Sequence, residues 1–374
     1  MLAVHRRILI DMLSIPTAPF AEHQVLAFLE AFCSRRPALK LTRDAAGNLL
    51  VHLRQGGLRI KRPICLTAHL DHPGFVADRM VAKGVVQAFW RGGVPPEYFP
   101  KAKVRFDVNG SWVCGTIRET TLIDRNGQMR VNTARISVPQ EIGSGAVGMW
   151  DFPDPVIRNG RIYARGCDDI AGAAAMVCCI DELVRRKKPA DIYFLFTRAE
   201  EVGFIGAIAA AKARTIPSKC VVVAMETSSE RPHAKMGDGP ILRVGDKAST
   251  WTPAATAYCH RVARELALQD KSFQFQRKLM DGGTCESSAY YTLGYDATGI
   301  CIALGNYHNI DAKRGRLGPE YVNVNDFENV VKWFTALATS TIFYTGRDDA
   351  LDAQIAGLEK SWRGLLRRSI SRPC

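Results

Sequence analysis

Apolar residues in this chain gather into four continuous runs: "PICLTAHL" at 63–70, "ADIYFLFTRAE" at 190–200, "CVVVAMET" at 220–227 and "ATGICIALGNYHN" at 297–309. A strand covered on both faces has no wet side for polar residues, so unbroken apolar runs predict interior strands of a covered sheet. Stretches 169–186, 203–214 and 325–340 have the spacing of helices and fall between or after these runs. The alternation predicts an α/β fold, with a helix-flanked, mixed and mainly parallel sheet.

Residues 74–160 follow another pattern. Short β-like pieces, "AKVRFDV", "SWVCGTI" and "ARISVP", are separated by Gly, Pro and Asn turns, with little helical periodicity. They predict a small β domain inserted into the α/β core. The expected division is 1–73 and 161–345 for the two parts of the α/β domain, 74–160 for the insert, and 346–374 for a basic tail.

Composition narrows this picture in three ways. Hydrophobic residues are 47% and charged residues 23% of 374, the balance of a packed globular chain. No stretch approaches the roughly 20 apolar residues of a membrane span, and "IAGAAAMVCCI" at 170–180 reads as a buried helix. Arg6-Arg7 before "ILIDMLSIP" imitates a leader, but Asp11 interrupts the run; a helix burying Ile8, Ile10, Leu13 and Ile15 is expected.

The 11 cysteines form no C-x-x-C pair and sit mostly in apolar runs, so free thiols, a reducing compartment and a cytoplasmic protein are expected. The formal charge of +13 draws polyanions in general. Its lysines and arginines are scattered, however, and no nucleic-acid motif is present. Neither a specific nucleic acid nor a membrane is expected as a partner.

Candidate chemistry sits where the apolar runs end. Ligands of open α/β sheets bind beyond the carboxyl ends of the strands. There the sequence delivers His69 and Asp71, Asp168-Asp169, Glu200-Glu201, Glu226 and His308. Each has an ordinary reading: an aspartate capping a helix, a glutamate favouring a helix start, a histidine satisfied in the core. Jointly these readings fail. Carboxylates brought together without Lys or Arg repel one another, and one or two divalent cations relieve that repulsion. Nitrogen and carboxylate donors without thiolate suit Zn²⁺, and also Mn²⁺ or Co²⁺. In the doublet, one carboxylate can bind metal while its neighbour takes a proton from water, and Asp71 can orient His69.

The motifs "AHLDHPGF", "GCDDIAGA", "AEEVGFIGA", "GDGPIL", "DGGTCESSA" and "NYHN", in that order, resemble the dinuclear metallo-aminopeptidases of the tetrahedral aminopeptidase and glutamyl aminopeptidase family. The resemblance runs from about residue 8 to about 340. It implies that Asp168 bridges two divalent metal ions, with His69 and Glu226 completing one site and Glu201 and His308 the other. Glu200 is implied as general base and Asp71 as the carboxylate behind His69. The implied reaction is attack of a metal-bound hydroxide on a peptide carbonyl, the proton returning to the leaving amine through Glu200.

Gly282, Gly283 and Thr284 read as a turn before a helix, and the resemblance adds an approach to substrate. It also brings the "GDGP" loop near the substrate pocket. Departures are His72 in place of an acid, Glu226 in place of aspartate, and Cys285 in place of Asp or Glu, with Glu286 as its substitute. The insert is short for a family of large cages, which implies a homo-oligomer smaller than a dodecameric shell.

The expected function is an aminopeptidase acting on short peptides. Two alternatives stand beside it: a two-metal amidohydrolase or carboxypeptidase acting on N-acyl amino acids, and a polyanion-binding scaffold without turnover. Dependence on a free substrate amine separates the first from the second.

Overall fold

A computed structural model describes residues 1–345, apart from 59, 61 and 126, together with 349–370. The four apolar runs form adjacent strands, Ala190–Thr197, Ile64–His69, Val221–Ser229 and Asp296–Gly305, all parallel. Toward both edges of this main path the pairing is antiparallel, while off it the short strands Ile241–Arg243 and Gln276–Lys278 pair parallel to each other. Leu49–Gln55 and Leu39–Arg43 extend one edge, and Glu320–Asn323, Arg161–Ala164 and Val156–Arg158 extend the other. Along the main path, parallel pairing falls on the strands that read as continuous apolar runs. The outer strands carry more polar residues because less of their surface is covered.

The helix Cys167–Arg185 is built almost wholly from small and apolar residues, and nearly all of it is buried. It packs between the sheet and the helices Ala3–Ser14 and Val324–Thr339. Alanine, glycine and cysteine keep it thin enough to lie close to both. In the first helix the buried stripe is Ile8, Leu9, Met12 and Leu13, while Ile10 and Ile15 are only partly covered. The expected stripe was therefore turned slightly from the real one.

Between Asp71 and Asp168 the chain makes a closed six-stranded barrel, in the order Gly74–Ala82, Val85–Arg91, Gln128–Ser137, Ser111–Arg125, Lys103–Val108 and Val147–Trp150. Closure removes the exposed edges that short strands would otherwise offer. Its interior holds Phe75, Trp90, Phe99 and Trp150, with ring centroids 4.7–6.2 Å apart, mostly edge to face or tilted.

The helix Asp349–Ile370 follows the body of the chain. Of the expected basic tail, residues 346–348 and 371–374 lie outside the described residues.

Candidate metal centre

The parallel register sets the stage for the site. His69, the last residue of its strand, pairs with Thr197, so the chain continuing from Thr197 delivers Glu200 and Glu201 beside it. Glu226 lies within the next strand, opposite Cys301. His308 follows the strand Asp296–Gly305 in a short turn, with φ of 52°. Asp168 opens the helix Cys167–Arg185 in non-helical conformation, and its peptide bond to Asp169 is cis.

Six of these side chains converge. His69 Nε2 lies 3.4 Å from Asp168 Oδ1, 3.6 Å from Glu226 Oε1 and 3.9 Å from Glu200 Oε2. His308 Nε2 lies 3.1 Å from Glu201 Oε2. Three donor triads result: His69, Asp168, Glu226; Asp168, Glu201, His308; and His69, Glu200, Glu201. The donor atoms of each lie within 4.8 Å of one another. Asp168 is common to the first two. Asp169, its neighbour in sequence, belongs to none of them.

The donor set fits divalent cations. Asp168 Oδ1 and Glu201 Oε1 are buried with no hydrogen-bond partner among the described residues. A bare buried carboxylate oxygen is costly, and a cation satisfies it. Two imidazoles with carboxylates and no thiolate match zinc, cobalt or manganese chemistry. Protonation equilibria report the same crowding. Burial, opposed by His69 and reinforced by Glu226, Glu201 and Asp71, pushes Glu200 well above the carboxylate range. Burial lowers His308, but Glu201 outweighs it and raises the imidazole to about 9. Cations in the cluster would reverse both tendencies, since they favour carboxylate and neutral imidazole.

Asp71 works differently from the expectation. The near contact of His69 Nδ1 is the backbone carbonyl of Asp71 at 3.0 Å, and the Asp71 carboxylate is at 3.6 Å. That carboxylate accepts the backbone N–H groups of Glu200 at 2.9 Å and Glu201 at 3.0 Å. It therefore fixes the doublet as well as standing beside the histidine. Glu286 also needs correction as a substrate contact. It is buried, takes a hydrogen bond from Thr197 Oγ1 at 2.5 Å, and is not among the residues that line the cleft. Burial raises its pKa to about 7.

A cavity of about 250 Å³ opens over the cluster, lined by Gly282, Gly283, Thr284 and Cys285 on one side. Arg231 and Arg243 line it too, and the barrel contributes Gly93 and Arg130. Arg243 is buried beneath Cys285 and over the Trp251 ring. The "GDGP" loop is not among the lining residues. Its Gly237 and Gly239 N–H groups donate to Asp326, which ties the loop to the helix Val324–Thr339.

His72, where an acid was expected, is buried, with Nδ1 donating to the Asp168 carbonyl at 2.7 Å. Burial, helped by the nearby Arg165, lowers its pKa to about 3, so it is neutral and supports Asp168. Two supporting carboxylates carry no mark in the sequence. Glu320 accepts the backbone N–H groups of Asp168 at 3.0 Å and His308 at 2.9 Å, joining the two halves of the centre. Glu22 accepts from Arg198 Nε at 2.8 Å and Ala199 N at 3.0 Å, just before the doublet. Neither stands in a motif or at the end of an apolar run, so no local signal marked them.

The model of the M42 glutamyl aminopeptidase family matches residues 47–312, the segment carrying all six residues of the cluster from His69 to His308. The chain belongs to that family. It is a hydrolase of peptide bonds. A "Putative aminopeptidase" of Acetivibrio thermocellus is 24% identical over 306 residues, 77% of this chain and 85% of that protein. Among solved structures, the TET1 peptidase of Pyrococcus horikoshii, which can assemble into a tetrahedron or a large octahedral shell, is similar with a TM-score of 0.71. Its identity is 20%, over 89% of this chain and 99% of that one. An aminopeptidase from the archaeon Desulfurococcus kamchatkensis gives a TM-score of 0.71 at 20% identity, over 90% and 94% of the two chains. Among the described residues no helix is long and apolar enough to cross a membrane.

Proposed function

We propose that this M42 protein is a two-metal aminopeptidase that removes N-terminal residues from short peptides. The observation that carries this reading is the pair of donor triads, His69–Asp168–Glu226 and Asp168–Glu201–His308, sharing Asp168. His69 and Glu226 would hold one cation, Glu201 and His308 the other, and Asp168 both. Zinc is the first candidate, with cobalt and manganese compatible with the same donors. When bound, the cations supply polarisation of the scissile carbonyl and acidify water.

The chain's own residues do the rest. The Glu200 carboxylate takes the proton of the attacking water and delivers it to the departing amine nitrogen. Asp71 holds Glu200 and Glu201 in place through their backbone N–H groups. Glu320 keeps Asp168 and His308 at fixed separation. The residue to be removed enters the cavity beside Gly282–Thr284, where Arg231 and Arg243 suit an acidic side chain. A reducing, cytoplasmic setting is supported by the free thiols, of which only Cys114 is exposed among those described. A homo-oligomer is supported by the assemblies of the similar TET1 peptidase.

The test combines metal content with hydrolysis of aminoacyl-anilides and their N-acetylated counterparts. Cleavage of free-amine substrates alone is expected. Cleavage of the acetylated set instead would favour the amidohydrolase or carboxypeptidase alternative, and no metal uptake would favour the scaffold. Glu200→Gln is expected to retain metal and lose about 10²- to 10⁴-fold in turnover. Wild-type turnover in that variant sinks the assignment of the base.

A further inference from the structure

Next to the metal cavity lies a second, larger concavity of about 840 Å³, and Ser229 and Tyr307 border both. Its floor is the antiparallel set Val156–Arg158, Arg161–Ala164 and Glu320–Asn323. Two guanidinium–tyrosine stacks stand side by side on it. Arg158 lies 4.9 Å from the ring centroid of Tyr163, and Arg161 lies 4.9 Å from that of Tyr321. The two tyrosine rings are 5.4 Å apart. Stacking of this kind holds a guanidinium over a ring while leaving its N–H edge free for an anion.

The opposite wall is the loop carrying Lys313, Arg314 and Arg316. Carboxylates do not balance these five cations. Asp311 is taken by Arg314 at 2.9 Å and Arg316 at 3.8 Å. Glu230 is the other acid in the lining. Arg158, Arg161 and Lys313 have no carboxylate within ion-pair distance among the described residues. The groove keeps a net positive charge at the exit of an active-site cavity, where a concave wall concentrates the field.

An exopeptidase needs two kinds of space. The single residue it removes fits a bounded pocket, whereas the rest of the peptide needs an open channel. The 250 Å³ cavity with buried Arg243 has the first character, and the groove beyond Tyr307 has the second. Resting on the aminopeptidase reading, we propose that this arginine–tyrosine groove binds the peptide chain downstream of the scissile bond and selects acidic residues there. The specificity is additional to that of the N-terminal residue, and it is read by Arg158, Arg161 and Lys313.

The test holds the N-terminal residue constant. Ala-Glu-Glu-Glu and Ala-Gln-Gln-Gln are compared in two ways: by kcat/KM with the metal-loaded enzyme, and by binding to the metal-free protein with a dye on the last residue. The acidic peptide is expected to be favoured by about tenfold at low salt, with the preference shrinking as salt rises. Arg158→Glu/Arg161→Glu should abolish or invert the preference in both measurements. Lys313→Glu, in an exposed loop, should reduce it severalfold and serves if the strand variant fails to fold. Arg125→Glu, in a different concavity of the barrel, should leave the preference in place.

Equal affinity and equal kcat/KM for the two peptides would overturn the proposal. So would a preference lost in Arg125→Glu but kept in the groove variants, or displacement of the acidic peptide by a lower concentration of a single-stranded oligonucleotide. If no free-amine peptide is hydrolysed, the aminopeptidase reading falls, while binding to the metal-free protein still reports on the groove.

Discussion

Glu320 offers the sharpest test of how the centre is built. Its carboxylate is fully buried and receives two backbone N–H groups, one from Asp168 and one from His308. Those two residues, far apart in sequence, belong to one donor triad with Glu201. In Glu320→Ala both donors lose their acceptor inside the protein. Each buried polar group left unpaired costs about 1–3 kcal/mol, so the pair costs roughly 4 kcal/mol.

With an unfolding entropy of about 2.1 cal/mol/K per residue, that loss lowers the melting temperature of a chain this long by roughly 5 °C. Glu320→Gln keeps one acceptor and turns an amide N–H₂ toward the other donor, so about half the loss is expected. The same change lets Asp168 and His308 drift, and loss of such a supporting group weakens metal binding by about 10- to 100-fold. Differential scanning calorimetry of the metal-free protein measures the first effect. Isothermal titration with zinc or cobalt measures the second. A Glu320→Ala protein melting within about 1 °C of the parent, with unchanged metal affinity, would refute the reasoning.

Two further outcomes are expected. Trp150→Ala, at the centre of the barrel's aromatic cluster, should cost about 3–5 kcal/mol in denaturant unfolding; a cost under about 1 kcal/mol would mean that the cluster does not carry the barrel. His5 is buried with Nε2 unpartnered among the described residues, and burial lowers its pKa against the pull of Glu182 and Asp181. The unfolded chain therefore binds this proton more readily, so stability should fall as the pH drops from neutrality through about 6.5. His5→Gln should flatten that slope between roughly pH 7 and pH 5, and identical slopes in the two proteins would remove His5 as the cause.

The donors were legible because each occupies a position with a local signature. His69 ends an apolar run, Asp168 opens a helix, Glu200 and Glu201 follow a strand, and His308 follows another. A parallel sheet carries such ends to one rim, so the order of motifs already contained the cluster. The sign of the site was legible too, because acids and histidines predominate at those ends, and Arg198 beside the doublet is taken up by Glu22. The barrel was legible only as an insert of short strands. Its closure depends on pairing between Gly74–Ala82 and Val147–Trp150, which are far apart in sequence.

What the sequence by itself determined is the set of buried strands, the helix of small residues, and the identity of the side chains that meet in the donor cluster, since each follows from local periodicity or residue chemistry. Tertiary structure alone decided the supports and the exclusions. Glu320 and Glu22 became structural acceptors because distant backbone N–H groups, buried by folding, required them. Glu286 stays out of the cleft lining because it is buried against Thr197, from whose hydroxyl it accepts a hydrogen bond. Asp71 came to bind the Glu200–Glu201 backbone because parallel pairing brought that turn within reach. Burial and long-range pairing set these roles, and neither leaves a periodic mark on the chain.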